Sequence, residues 1–184
     1  MKRIFLILVI LLLSLFFPQK ILAEKIADNS AVMANNNLTN KNVNRLTKKK
    51  IVISKVLTSY NSPLVNSTEY FISACVNYNL DCYLLPSIAG LESFFARFVY
   101  PNSNNPFGWG GGYIMFTSWE RAIDTVGRGL RENYIDKGAD TVEKIAPIYA
   151  TSQTWASKVN YFKEVFEKEE KKIDLILSKN GVKL

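Results

Sequence analysis

From Phe94 to Thr117 no apolar residue recurs with the 3.6-residue period of a helix, and no Asp or Glu occurs between Ser93 and Trp119. Pro101, Asn102, Asn104, Asn105, Pro106, Gly108, Gly110, Gly111 and Gly112 break any regular element, so the stretch predicts a structured loop or a short hairpin. It also carries Phe94, Phe95, Phe98, Tyr100, Phe107, Trp109, Tyr113 and Phe116. That much aromatic surface excludes disorder, and a loop of this length inside a compact domain is usually functional. Aromatic faces in such a loop either pack the core or stack on sugar rings, and both uses are expected here.

The loop follows a helical run that ends on one carboxylate. Leu85, Ile88 and Ala89 lie on one stripe, and Glu92 falls on the same stripe a turn later. A carboxyl placed there loses part of its hydration. Desolvation raises a carboxyl pKa, as a general acid working near neutral pH requires. The competing reading is a surface Glu at a fraying helix end, and position alone does not separate the two.

The remaining elements are read as helices. Lys48 to Tyr60 turns Val52, Val56 and Leu57 inward and is broken by Asn61-Ser62-Pro63. Asn66 and Glu69 form a capping-box pattern for a helix that buries Phe71, Ile72, Cys75 and Tyr78. Asn79 suits its left-handed end, and Asp81 caps the helix that carries Glu92. Pro86 is tolerable only near the first turn of that helix. Thr117 with Glu120, and Asp140 with Glu143, repeat the capping pattern for two more helices, the first facing Trp119, Ala122, Ile123, Val126 and Leu130 inward and ended by Gly138. A last helix from Trp155 to about Leu177 carries Val159, Phe162, Val165, Phe166, Ile173 and Ile176, and its EKEEKK run predicts a solvated face. No convincing strand lies outside the loop, so the fold is expected to be mainly α.

The 184 residues suit one domain with appendages. Met1-Lys2-Arg3, the apolar run Ile4–Phe17 and Ile21-Leu22-Ala23 predict a secretory signal over 1–23, cleaved after Ala23; as an uncleaved anchor the run is short. Residues 24–47 are Asn-rich and aperiodic and predict a disordered basic linker. The formal net charge of +7 is carried by the ends: the segments 1–23, 24–59 and 151–184 contribute +3, +5 and +2, whereas 60–150 contributes −3. No basic stripe surrounds Glu92, which argues against nucleic-acid binding. The basic linker can rest on an anionic envelope surface or stay solvated. Histidine is absent, which removes Ser-His and Cys-His catalysis and most zinc sites. In an exported chain Cys75 and Cys82, seven apart across a helix end, can close a small-loop disulfide; unlinked buried thiols are the alternative.

Glycoside cleavage commonly employs two carboxylates. Glu120, Asp140 and Glu143 are better explained as first-turn residues, and Asp124 is unsupported, so a single-acid mechanism fits best. Either the substrate's N-acetyl group or an internal sugar hydroxyl then attacks, while Glu92 protonates the leaving oxygen.

Three landmarks in order, LPSIAGLESFF, NNPFGWGG and IYATSQTWASKV, resemble the bacterial glucosaminidase family of cell-wall hydrolases in the lysozyme-like superfamily, over about residues 60 to 167. The resemblance implies a lysozyme-like helical domain over 48–168, followed by a charged helical tail over 169–184. It implies Glu92 as the catalytic acid, and Asn105, Phe107, Gly108, Trp109 and Tyr149 as substrate-binding residues. It also implies peptidoglycan glycan strands as partner, a monomer, and no metal or organic cofactor. The chain departs from the family in lacking a second acid in the loop. Glu92-Ser93-Phe94 also resembles the lytic transglycosylases, although Gly112-Tyr113-Ile114-Met115 does not reproduce their Gly-Leu-Met-Gln element. The alternatives are therefore a lytic transglycosylase or a glycan-binding module without activity.

Overall fold

A computed structural model describes the backbone of residues 20–179 and the side chains of residues 40–179. The chain divides into two compact units, residues 1–43 and 44–184. Among the described residues six helices run in order: α1 (Lys20–Ser59), α2 (Thr68–Asn77), α3 (Leu84–Ser93), α4 (Trp119–Asn133), α5 (Val142–Tyr149) and α6 (Trp155–Lys179). Short 3-10 turns at Pro63–Ser67 and Ile135–Lys137 precede α2 and follow α4. No strand occurs among the described residues, so the fold is mainly α and the region 94–117 is a loop, not a hairpin. The predicted signal sequence falls largely on residues 1–19, outside the described residues. Among the described residues no helix is long and apolar enough to cross a membrane.

In the first unit the stretch read as a linker is helical in backbone from Lys20 onward. Residues 20–59 contain neither Gly nor Pro, so nothing in them interrupts the helix that the apolar face begins near Lys48.

The second unit is built around α3. Leu84 to Gly90 are all buried, which makes α3 a core helix covered on every side and not one with a single apolar stripe. It packs chiefly on α6, while α2 packs on α4 and α5 on α6. Gly90 permits the close approach of α6, since a Cβ there would lie 2.9 Å from the Phe162 ring. Val52, Ile53, Val56 and Leu57 close the core from α1. The α2–α3 turn has Asn79 in the left-handed region at φ 47°. Across it Cys75 and Cys82 form a disulfide, with Cα atoms 4.8 Å apart.

The three capping boxes each sit one residue later than the sequence predicts. Ser67, Ser118 and Thr141 occupy the N-cap positions expected of Asn66, Thr117 and Asp140. Glu69, Glu120 and Glu143 therefore lie in the first turn but too early to close a reciprocal box. The Ser67 hydroxyl instead donates to Glu120 at 2.8 Å, tying the start of α2 to the start of α4.

The charged run of α6 is a second correction, because one side of it is not solvated. Glu170 pairs with Lys49 at 2.7 Å and Lys48 at 3.4 Å, and Glu169 with Lys55 at 3.2 Å. Ile173 is buried in the same seam, whereas Ile176 is exposed. Ion pairs at the rim of a core, still screened by solvent, contribute about 1 kcal/mol or less each, and burying Phe166 or Ile173 contributes about 2 kcal/mol. Apolar burial therefore holds α6 to the core, and the charges set its register against α1.

Candidate active site

Glu92 stands in the last turn of α3, just before Phe94, Phe95 and Ala96 take left-handed conformations at φ 50°, 59° and 64°. Non-glycine residues adopt that region at a cost of about 1 kcal/mol each, and the turn is held by several bonds. The Phe95 N–H donates to the Ala89 carbonyl at 2.9 Å. The Ser62 hydroxyl donates to the Phe95 carbonyl at 2.8 Å. Buried Ser93 is the knot: its hydroxyl accepts from the Ala96 N–H and lies 2.8 Å from the Pro106 carbonyl. The residue after the acid thus fastens the returning loop beside it.

The loop is organised by its own polar side chains. The Asn105 amide donates to the carbonyls of Trp109 and Ile114 at 2.9 and 3.1 Å, and its oxygen accepts from the Trp109 N–H at 3.0 Å. Asn104 donates to the Phe116 carbonyl at 3.0 Å. These bonds carry Gly108 to the carboxylate. With φ at 62°, Gly108 approaches so closely that a Cβ would lie 2.9 Å from Glu92 Oε2.

On the other side of the acid the Trp155 indole N–H donates to Glu92 Oε1 at 2.7 Å. The outer face of Glu92 remains open to solvent. Burial of the remainder raises its carboxyl above the ordinary value, and the Trp155 hydrogen bond opposes that rise without cancelling it. Among the described residues no cation pairs with it. The adjoining cleft, about 230 Å³, is lined by Leu91, Ala150, Thr151, Ser152, Trp155 and Lys158 and contains no second carboxylate.

Aromatic rings continue from the acid. Tyr149 stacks on Trp155 at 4.8 Å, and Trp109 and Tyr134 follow at 5.7 and 6.0 Å from Tyr149. The Tyr149 hydroxyl donates to the Phe107 carbonyl at 2.7 Å. Burial, with Glu92 nearby, holds that hydroxyl well above its ordinary pKa, so Tyr149 stays neutral and cannot serve as a base. Trp109 lies against Gly129 of α4, where a Cβ would meet its ring at 2.6 Å.

The structure therefore brings Glu92, Gly108, Trp109 and Tyr149 to one corner. Asn105 and Phe107 belong to its frame. Phe107 is fully buried and Asn105 is spent on loop carbonyls, so neither side chain presents a surface to a substrate. Trp155 as the partner of Glu92, and Ser93 as the fastener of the loop, were not expected. Sequence spacing carries no signal for contacts across 63 residues.

The other acids are engaged elsewhere. Asp124 accepts from the Tyr78 hydroxyl at 2.5 Å and pairs with Arg128 at 3.1 Å. A larger cleft of about 480 Å³ between α5 and the α2–α3 turn is lined by Asp81, Asp140, Glu143, Asn160 and Lys163 among others. Those groups satisfy one another or a neighbour: Asp81 pairs with Lys163, Asp140 with Lys144, and Asn160 donates to Glu143. At the Glu92 corner, by contrast, the acid forms no ion pair among the described residues, although Lys158 lines the same cleft.

The molecule is thus a mainly α protein with an internal disulfide, a one-carboxylate cleft at Glu92 and a separate hollow lined by Trp109, Tyr134 and Tyr149. A scan against protein-family models finds no match to this chain, and a search of curated proteins finds no relative.

Proposed function

We propose that this protein is an exported peptidoglycan hydrolase cutting β-1,4 bonds next to N-acetylglucosamine, with Glu92 as its general acid and base. The observation that carries the reading is the state of Glu92: raised by burial, accepting one hydrogen bond from an uncharged donor, and open to a cleft. A carboxyl in that state holds its proton to higher pH and can deliver it to a leaving oxygen. The Cys75–Cys82 disulfide supports an oxidising compartment, in keeping with export.

Because the cleft contains no second carboxylate, the attacking group comes from the substrate. The N-acetyl carbonyl oxygen attacks the anomeric carbon as Glu92 protonates the departing sugar oxygen, which leaves an oxazolinium and a Glu92 carboxylate. Water then adds to that carbon, giving its proton to Glu92 and restoring the acetamide. Trp109, Tyr134 and Tyr149, which line the hollow beside Gly108, support a ligand built of pyranose rings, whose C–H faces stack on such surfaces.

The test is mass spectrometry of peptidoglycan digested with residues 24–184 and with the Glu92→Gln protein. Reducing N-acetylglucosamine ends that fall by about 10²- to 10⁴-fold in the variant are the expected result. The same single-acid site also suits internal attack by a sugar hydroxyl, and anhydro-muramyl ends would identify a transglycosylase. Binding without any product would leave a glycan-binding module.

A further inference from the structure

The environment of Glu92 contains a closed circuit of contacts. Trp155 donates to Oε1, Trp155 stacks on Tyr149, and Tyr149 donates to the carbonyl of Phe107. Phe107 is bonded to Gly108, and Gly108 lies against Oε2. The two carboxylate oxygens are therefore not equivalent. One faces a fixed N–H, and the other faces a backbone surface from which any side chain is excluded.

We propose that Trp155 is the positioning residue of this site: its N–H holds Oε1 as the carbonyl oxygen of the neutral acid, so that the proton resides on Oε2 and is delivered along the Gly108 surface. This rests on the reading of Glu92 as the acid. Indole nitrogen donates and never accepts, and a carbonyl oxygen accepts better than the hydroxyl of the same acid. The arrangement with hydrogen on Oε2 is therefore the one Trp155 selects. The indole has little freedom to select anything else, being 3 % exposed and stacked on Tyr149. Tyr149 fixes the loop carbonyl next to Gly108, so donor and delivery surface move as one body. The other titratable groups facing this corner are Lys158, one turn along α6 from Trp155, and Tyr149 with Tyr134 behind it. None of these donates a hydrogen bond to Glu92.

Trp155→Phe tests the assignment, because it retains a ring on Tyr149 and deletes the N–H. A benzothienylalanine at position 155, isosteric with tryptophan, removes the N–H without creating a space. The Glu92 carboxyl is titrated by ¹³C NMR in the substrate-free protein, and the pH profile of kcat/KM is recorded on peptidoglycan. In both variants the Glu92 titration and the descending limb of the profile are expected to move to higher pH. Turnover is expected to fall on the order of tenfold to a hundredfold with KM nearly unchanged. A merely structural tryptophan would lower the folded fraction and leave the titration in place. An unmoved titration in the isosteric variant overturns the Trp155 assignment alone. A fully active Glu92→Gln protein overturns the acid reading itself, and with it the proton delivery proposed here.

Discussion

Glu92 and Glu170 are two partly desolvated carboxylates on helices of the same core, each beside an aromatic residue that donates to it. Burial pushes both upward, yet they end on opposite sides of the ordinary carboxyl value. At Glu170 the push of burial is outweighed by Lys49, the Tyr83 hydroxyl and Lys48, and the carboxyl lies low. Lys49 also sits over the Tyr83 ring at 3.9 Å, which keeps the cation in place. At Glu92 the opposing force is one neutral N–H, and the carboxyl lies high. Burial by itself does not prepare an acid for catalysis. Burial without an ion pair leaves the carboxyl high, and the loop from Phe98 to Trp119, free of charged residues, brings no cation to it.

The largest effect expected on this contrast comes from crowding Glu92. Gly108→Ala places a Cβ on Oε2 and forces a left-handed backbone on a residue that resists it. It is expected to lower kcat/KM about 10²-fold and stability by about 1 kcal/mol, read from digestion rates and urea unfolding.

Glu170→Gln removes the acid that is held low. A carboxyl whose folded pKa lies below its unfolded value stabilises the fold above the unfolded pKa, and loses that contribution as pH falls through the folded pKa. The variant is expected to be about 1 kcal/mol less stable at pH 7, since solvent screens the Lys48 and Lys49 pairs. The gap to the parent closes on acidification below the ordinary value of 4.5. A gap independent of pH would show that Lys48 and Lys49 leave Glu170 unperturbed.

The smallest effect has the opposite sign. The folded pKa of Glu92 lies above its unfolded value, so the group favours the fold below the unfolded pKa, and that advantage is lost as pH rises through the folded pKa. Glu92→Gln, which on the proposed reading lowers activity about 10²- to 10⁴-fold, is therefore expected to unfold at a slightly higher temperature than the parent at pH 7. The gain is about a few tenths of a kcal/mol, since solvent screens the open face of the side chain, and it vanishes as pH falls below the ordinary value of 4.5. A variant less stable than the parent at pH 7 would show that ionised Glu92 is not strained.

Much of the local structure was legible in the residues. The inward faces of α1 and α4, the left-handed Asn79 and the break at Pro63 follow from period, composition and turn chemistry. The caps were legible only to within one residue. In all three cases a second cap-competent neighbour, Ser67, Ser118 or Thr141, takes the position, and the choice depends on what the rest of the protein offers. Ser67 illustrates this: its hydroxyl reaches Glu120, which the chain places 53 residues away. The charged face of α6 was misread for the same reason. Helical period marks Glu169 and Glu170 as polar, but not that Lys48, Lys49 and Lys55 of α1 lie opposite them.

The sequence by itself determined that the protein is mainly helical, that one acid ends the central helix, and that an acid-free aromatic loop follows. Those are properties of neighbours along the chain, set by steric preference, period and the location of charge. Only the tertiary structure decided that Trp155 meets Oε1, that Gly108 meets Oε2, and that Phe107 and Asn105 turn into the frame and not toward the cleft. Such contacts depend on where separate helices lie when apolar burial is complete. Burial is non-directional, and it is the packed core that converts it into a specific distance between two side chains.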